Sequence, residues 1–161
     1  MSRRAESLAA RIEEGAAELA AFARGLSEAE WDTPVSATDR RTVGQIVNHV
    51  ALVYPIEIEL ARAIASGKAV TDVTWQVVAE LNAQHAREHR EVAKGHALDL
   101  LRHNSRQAAE AVRGLTDEEL DRAAPFSLSY GAPVTAQFVV EDHALRHSWH
   151  HLAQIRAAVG R

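Results

Sequence analysis

Apolar residues recur at steps of three and four along most of the chain, which is the spacing of one buried face of an α-helix. This pattern predicts four long helices, over roughly residues 5–25, 42–66, 74–113 and 135–159. Gly67, Gly114 and Gly160 follow the last three, at the position where glycine ends helices. No strand pattern of similar length competes with them. The predicted fold is therefore all-α, an antiparallel four-helix bundle formed by residues 1–161 as one domain.

The segments between these helices have their own signals. "LSEAEWD" (residues 26–32) and "LTDEELD" (residues 115–121) each place Ser or Thr before a run of acids. This is the pattern of a capped helix start, so each segment predicts a short connecting helix. Residues 124–134, "APFSLSYGAPV", predict an irregular loop or a small hairpin before the last helix. Pro55 lies inside the second helix and predicts a local kink.

Composition narrows the class of protein. The chain has 161 residues, of which 47% are hydrophobic and 25% are charged. A chain of this length buries a sufficient core without disulfides. The net charge of −4 argues against nucleic acid as a partner, because nucleic-acid binders present a basic face. We see no apolar run of membrane-spanning length and no signal peptide, so we expect a cytoplasmic protein with no membrane partner.

The chain contains no cysteine and nine histidines. The absence of cysteine excludes disulfides, thiolate metal sites and a cysteine nucleophile. Thiol chemistry would therefore need a thiol from a small molecule. Histidine, in contrast, binds zinc, nickel, copper or iron without sulfur, so the histidines are the candidate metal ligands.

One histidine interrupts the apolar face of the second helix. That face consists of Thr42, Ile46, His49, Val53, Ile56, Leu60 and Ile64. A buried ring nitrogen without a partner costs roughly 1–3 kcal/mol, so His49 must be satisfied. Two interpretations are open: a core histidine bonded to a carbonyl or carboxylate, or a metal ligand. Taken alone, the second helix favours the core histidine.

The last helix supplies a second part of the pattern in "RHSWHHLAQIR", residues 146–156. His147 and His151 are four residues apart and share a helix face, so together they can chelate one ion. His49 from a facing helix would complete a three-histidine site with open positions, which is typical of catalytic zinc.

The other nearby residues are weaker candidates. The helical wheel places His143 at the edge of this face, which favours a supporting or solvated role. It places His150 at the surface, and Asp142 and Arg146 on the opposite side of the helix.

The third predicted helix contains a competing pair, His85 and His89, also four residues apart. Charged neighbours favour a solvated face for this pair, although a strip through Val78, Leu81 and Asn82 is a candidate pocket wall. Candidate pocket residues are therefore Asn82, His85 and Gln154. Gln154 is placed to hydrogen-bond a ligand histidine or a water molecule, and Glu57 and Glu141 are unplaced candidate acids behind the ligands.

Two of these segments resemble a known family. "TVGQIVNHV" (residues 42–50) and "HSWHHLAQI" (residues 147–155) resemble the DinB/YfiT-like metalloenzyme superfamily, as do the helix order and the chain length. The resemblance implies a homodimeric four-helix bundle that binds a divalent ion, zinc or nickel, through His49, His147 and His151. It also implies a transferase or isomerase that uses mycothiol, bacillithiol or glutathione.

The resulting hypothesis is a metal-dependent transferase that joins a low-molecular-weight thiol to a small electrophilic substrate. An ion held by three neutral imidazoles can activate either a thiol or a water molecule. A metal-dependent hydrolase is therefore the first alternative. The second is a stress protein that binds metal or ligand without turnover, since the same histidines would serve it.

Overall fold

A computed structural model describes residues 2–161, which form eight α-helices and one small hairpin. The helices are α1 (Arg3–Arg24), α2 (Glu28–Trp31), α3 (Val43–Ala65), α4 (Trp75–Glu88), α5 (Lys94–Arg113), α6 (Asp117–Asp121), α7 (Ala136–Val139) and α8 (Arg146–Val159). A π-helical segment, Val140–Leu145, joins α7 to α8. Strands β1 (Ala123–Pro125) and β2 (Pro133–Thr135) pair antiparallel. No helix in residues 2–161 is long and apolar enough to cross a membrane.

The core lies between α1, α3, α5 and the rod made of α7, the π-helical segment and α8. Helix α5 packs against α1 and α3, and α8 packs against the same two helices. Fully buried aliphatic side chains fill the space between them, among them Leu8, Ile12, Ile46, Leu101 and Leu152. These are the residues that helical spacing places on one face of each helix. The predicted all-α four-helix bundle is confirmed.

The third predicted helix, residues 74–113, is wrong as one element. The chain leaves the helix at His89 and re-enters it at Lys94, so only α5 belongs to the bundle. Helix α4 has no fully buried residue, and only Val78 of this helix packs against the core from a partly buried position. The carbonyl of Val92, in the break, accepts a hydrogen bond from Trp31 Nε1 at 2.8 Å. Residues 89–93 contain neither glycine nor proline, so helical periodicity alone predicts one continuous helix through the break.

The connecting segments follow the sequence prediction. Helices α2 and α6 each start with a capping box, in which Ser27 pairs with Glu30 and Thr116 pairs with Glu119. The predicted hairpin is also confirmed, and a short 3₁₀ turn, Ser127–Ser129, lies between its strands.

Helix α3 continues through Pro55 from Val43 to Ala65. Proline has no N–H, so the carbonyl of Ala51, four residues earlier, lacks its helical donor. Asn104 of α5 replaces that donor, with its Nδ2 lying 2.8 Å from the Ala51 oxygen. The proline therefore creates a polar link between two helices of the bundle.

The π-helical segment changes which side chains face inward on the last helical rod. A π turn holds more residues than an α turn, so the residues before it are rotated relative to those after it. A wheel with 3.6 residues per turn therefore misplaces residues 140–145 relative to His147 and His151.

Candidate metal centre

Three histidines from two helices meet beside the core. His49 comes from α3, whose first turn is fixed by a capping box between Thr42 and Gln45. His147 and His151 come from successive turns of α8. One ring nitrogen from each histidine lies within 4.8 Å of the others. The structure thus brings together the three residues that the sequence marked as ligands, and their spacing fits a metal site.

Two neighbours fix the orientation of the α8 histidines. Nδ1 of His147 lies 2.7 Å from Oε1 of Glu57, and Nδ1 of His151 lies 2.7 Å from Oε1 of Gln154. Both oxygens accept, so each Nδ1 carries the proton and donates. The lone pair of each ring is then on Nε2, the nitrogen that remains free for a ligand.

Burial keeps His49 and His151 of the cluster neutral. It lowers the pKa of His49 to about 2, with the adjacent His147 and His151 rings acting in the same direction. Burial and the His147 ring likewise lower the pKa of His151 to about 3. Both rings are therefore neutral near pH 7, which is the form that binds metal ions.

A cavity of about 610 Å³ opens at this cluster. Of the candidate pocket residues, Asn82, His85 and His143 line it, whereas Gln154 lies behind His151. His85 is 5.6 Å from His49 between ring centroids and shares a 3.1 Å hydrogen bond with Asn48. Burial lowers the pKa of His85 to about 4. The structure places His85 on the wall of the cavity and not on a fully solvated face.

The rotation at the π-helical segment explains why His143 and Asp142 differ from their positions on the helical wheel. His143 lines the cavity and its ring contacts Phe126, with 5.5 Å between centroids. Asp142 and Arg146 also line the cavity instead of facing away from it. His150 is exposed, as predicted, but it lies at the rim of the same cavity.

The two acids left unplaced by the sequence have different positions. Glu57 is buried beside His147, as described above. Glu141 instead forms an ion pair with Arg11 of α1 at 3.1 Å, on the outside of the bundle. Only Glu57 supports the histidine cluster.

Sequence reasoning missed Arg41. This residue lies in the loop before α3, where no periodic pattern operates, and its guanidinium group is paired with the carboxylate of Asp39. It lines the cavity next to the histidine cluster. A basic residue directly before a capping box was the only available signal.

The fold and the cluster define a class: a helical bundle with a three-histidine site at the end of a small-molecule cavity. The family profile of the DinB superfamily matches residues 11–155, so the chain belongs to the DinB superfamily. The resemblance stated from the sequence is confirmed.

A solved structure shares this fold over the whole chain. YfiT from Bacillus subtilis, described as a probable metal-dependent hydrolase with an unusual four-helix bundle topology, aligns with a TM-score of 0.78 and 19% identity. The alignment covers 100% of this chain and 89% of that one. No curated protein sequence matches the chain.

Proposed function

We propose that this protein is a metal-dependent enzyme that acts on a small molecule, with the ion held by His49, His147 and His151. The observation that supports this proposal is a cluster of three imidazoles that lines a cavity. A purely structural cluster would not need an opening of about 610 Å³, which is in the range of small-molecule sites.

The donor set fits a divalent metal ion. Three imidazole nitrogens suit zinc or nickel, and no cysteine is present to complete a closed structural site. Glu57 and Gln154 hold two of the rings with Nε2 available. We propose zinc or nickel as the resident ion.

When bound, such an ion supplies a Lewis acid that favours the deprotonated form of a thiol or a water molecule. The chain itself orients the ligand rings through Glu57 and Gln154. Apolar side chains of α3 and α4 form two walls of the cavity. The chain has no cysteine, so a thiol nucleophile must come from a small molecule.

Of the two reactions, we propose transfer of a low-molecular-weight thiol to an electrophile as the first candidate. The supporting observation is a cavity of about 610 Å³ beside three imidazoles, in a chain that has no thiol of its own. Hydrolysis is the second candidate, favoured by the fold shared with YfiT, which is described as a probable metal-dependent hydrolase.

The metal assignment is tested by elemental analysis of purified protein. We expect about one ion per chain, with little or none in His49→Ala and His147→Ala. His96→Ala, a histidine outside the cavity, is the matched control and should keep the ion. Bound metal should also raise the melting temperature of the wild type, because a ligand that binds only the folded state stabilises it. Full metal content in both ligand variants would disprove the assignment of the three ligands. His85 and His89 would then become the candidate ligands.

The reaction is tested on metal-loaded protein with monobromobimane as the electrophile. A rate that needs mycothiol, bacillithiol or glutathione, and that is lost in His147→Ala, supports the transferase. Turnover of ester or amide substrates without any thiol supports the hydrolase instead. Absence of both, with metal bound, would leave a binding protein without turnover.

We also propose that the protein is a homodimer, as the resemblance to its superfamily implies. Light scattering coupled to size-exclusion chromatography measures the mass directly. A mass equal to one 17.6 kDa chain would contradict the proposal.

A further inference from the structure

The cavity beyond the histidine cluster is a channel between α3 and α4. The last turns of α4 lie beside the first half of α3, since His85 contacts Asn48 and Gln45 Nε2 donates to the Ala86 carbonyl at 3.0 Å. At the other end of α4, Trp75 Nε1 donates to the carbonyl of Leu128 at 3.1 Å. These three hydrogen bonds hold α4 in place.

Two walls of this channel, from α3 and α4, carry rows of apolar side chains. Its third wall is polar and comes from the π-helical segment and α8, through Asp142, His143 and Arg146. From α3, Val53, Ile56 and Leu60 line it on successive turns. From α4, Trp75, Val78 and Leu81 line it in the same way. These α3 residues were expected to face the core, but Ile56 is 48% exposed, and Leu81 on α4 is also 48% exposed. Part of the α3 face that the sequence pattern assigns to the core therefore lines the cavity instead.

The polar groups of the cavity have a different distribution. Along α3 and α4 the imidazoles lie at one end, with His49 facing His85. The apolar residues begin one turn further along each helix. Ten residues separate His85 from Trp75, which is roughly 15 Å along a helix axis. The channel thus offers a reacting end and an apolar arm.

We infer that the substrate carries an elongated apolar group, which lies between the α3 row and the α4 row while its reacting group lies at the histidines. Ile56 and Leu81 are the specificity-determining residues, because they are exposed aliphatic side chains on opposite walls of the channel. This inference rests on the proposed function for the identity of the reacting end, but the binding of the apolar group does not require metal.

The test uses the neutral fluorescent probe N-phenyl-1-naphthylamine and the full chain, before and after treatment with a chelator. We expect binding in both states. Ile56→Gln and Leu81→Gln should each weaken it by about tenfold, because each removes apolar contact area from the probe. Phe138→Gln is the matched control, since Phe138 is 43% exposed but does not line the cavity.

A second measurement uses only wild-type protein. Straight-chain alcohols from butanol to decanol should displace the probe with affinities that rise about fourfold per methylene, the value expected when each methylene is buried. Affinities that do not rise with chain length would overturn the inference. Equal weakening in Phe138→Gln would also overturn it, because binding would then not be confined to the channel.

The results also separate this inference from the proposed function. If the protein binds the probe but purifies without metal, the apolar channel is supported and the proposed metal-dependent enzyme is contradicted. If the protein holds metal but does not bind the probe, the proposed enzyme is supported and the apolar channel is contradicted.

Discussion

His147 and His151 share a helix face but have different partners. A carboxylate accepts the Nδ1 proton of His147, whereas an amide accepts that of His151. A carboxylate makes its histidine a stronger donor to a metal ion than an amide does. We therefore expect the metal affinity of the site to depend on the negative charge of Glu57, which acts on the ion through His147.

Glu57→Gln tests this difference. The amide oxygen keeps a hydrogen-bond acceptor for Nδ1 but removes the negative charge, so we expect metal affinity to fall by about 10- to 100-fold while the fold is retained. Competition with a chromogenic chelator measures the affinity. Glu59→Gln, on the exposed side of the same helix, is the matched control. Unchanged affinity in Glu57→Gln would show that Glu57 has no influence on the ligand.

A second buried pair links the same helices without a direct contact to the cluster. The hydroxyl groups of Tyr54 and Ser148 form a hydrogen bond inside the bundle. Burial raises the pKa of Tyr54 above its usual range, so the phenol stays protonated. The pair holds α3 and α8 together one residue away from His147.

Tyr54→Phe should leave the Ser148 hydroxyl buried without its partner and lower the free energy of unfolding by about 1–3 kcal/mol. Ser148→Ala should lower the free energy of unfolding by less in the Tyr54→Phe background than in the wild type, because there it removes an unpaired buried hydroxyl. Urea unfolding of the wild type, the two single variants and the double variant gives the coupling energy between Tyr54 and Ser148. Strict additivity would mean that the hydrogen bond contributes no coupling energy.

At the scale of elements, three helices depart from regular periodicity near the site. Helix α3 contains Pro55, the last helical rod contains a π-helical segment, and the third predicted helix breaks between His89 and Lys94. Pro55 frees the carbonyl of Ala51, and the break leaves the carbonyl of Val92 free to accept from Trp31. The π-helical segment places His143 on the cavity wall. All three lie in the helices that surround the candidate metal centre.

The link between Pro55 and Asn104 can be measured by a mutant cycle. Asn104→Ala removes the donor to the Ala51 carbonyl, so we expect a loss of about 1 kcal/mol in the free energy of unfolding. In the Pro55→Ala background a backbone N–H is restored and the same substitution should have a smaller effect. Equal effects in both backgrounds would contradict the replacement of one donor by the other.

At the scale of the whole molecule, Trp31 connects three separate parts of the chain. Its ring packs on Gly44 of α3, where an added Cβ would lie 2.4 Å from Nε1. The same Nε1 donates to the Val92 carbonyl between α4 and α5. The short helix α2 therefore fixes the break in the third predicted helix against the start of α3.

Gly44→Ala should destabilise the protein by about 1–3 kcal/mol, because the new methyl group overlaps the indole ring and must displace it. Gly95→Ala is the matched control in α5, where an added Cβ meets no described atom within 4 Å. It should be neutral or stabilising by about 0.5–1 kcal/mol, since alanine favours helix. Thermal melts compare the two. A Gly44→Ala protein as stable as the wild type would contradict the close packing of Trp31.

Much of the fold could be predicted from the sequence because helical periodicity and capping are local properties. The bundle, the capped helices α2 and α6, and the hairpin follow from spacing and turn residues alone. The histidine pair of α8 is local in the same sense, since a spacing of four residues fixes a shared face. His49 was a candidate third ligand from its place on the apolar face of the second helix, and the resemblance to a family favoured a ligand over a core histidine.

The tertiary structure decided the features that depend on contacts distant in the chain. The pairing of His147 with Glu57 joins residues 90 positions apart. The wall formed by α4 and the position of Arg41 likewise depend on contacts distant in the chain. The rotation at the π-helical segment also escapes a fixed period of 3.6 residues. A one-dimensional pattern states which faces are apolar, whereas only packing decides whether such a face closes on the core or opens on a cavity.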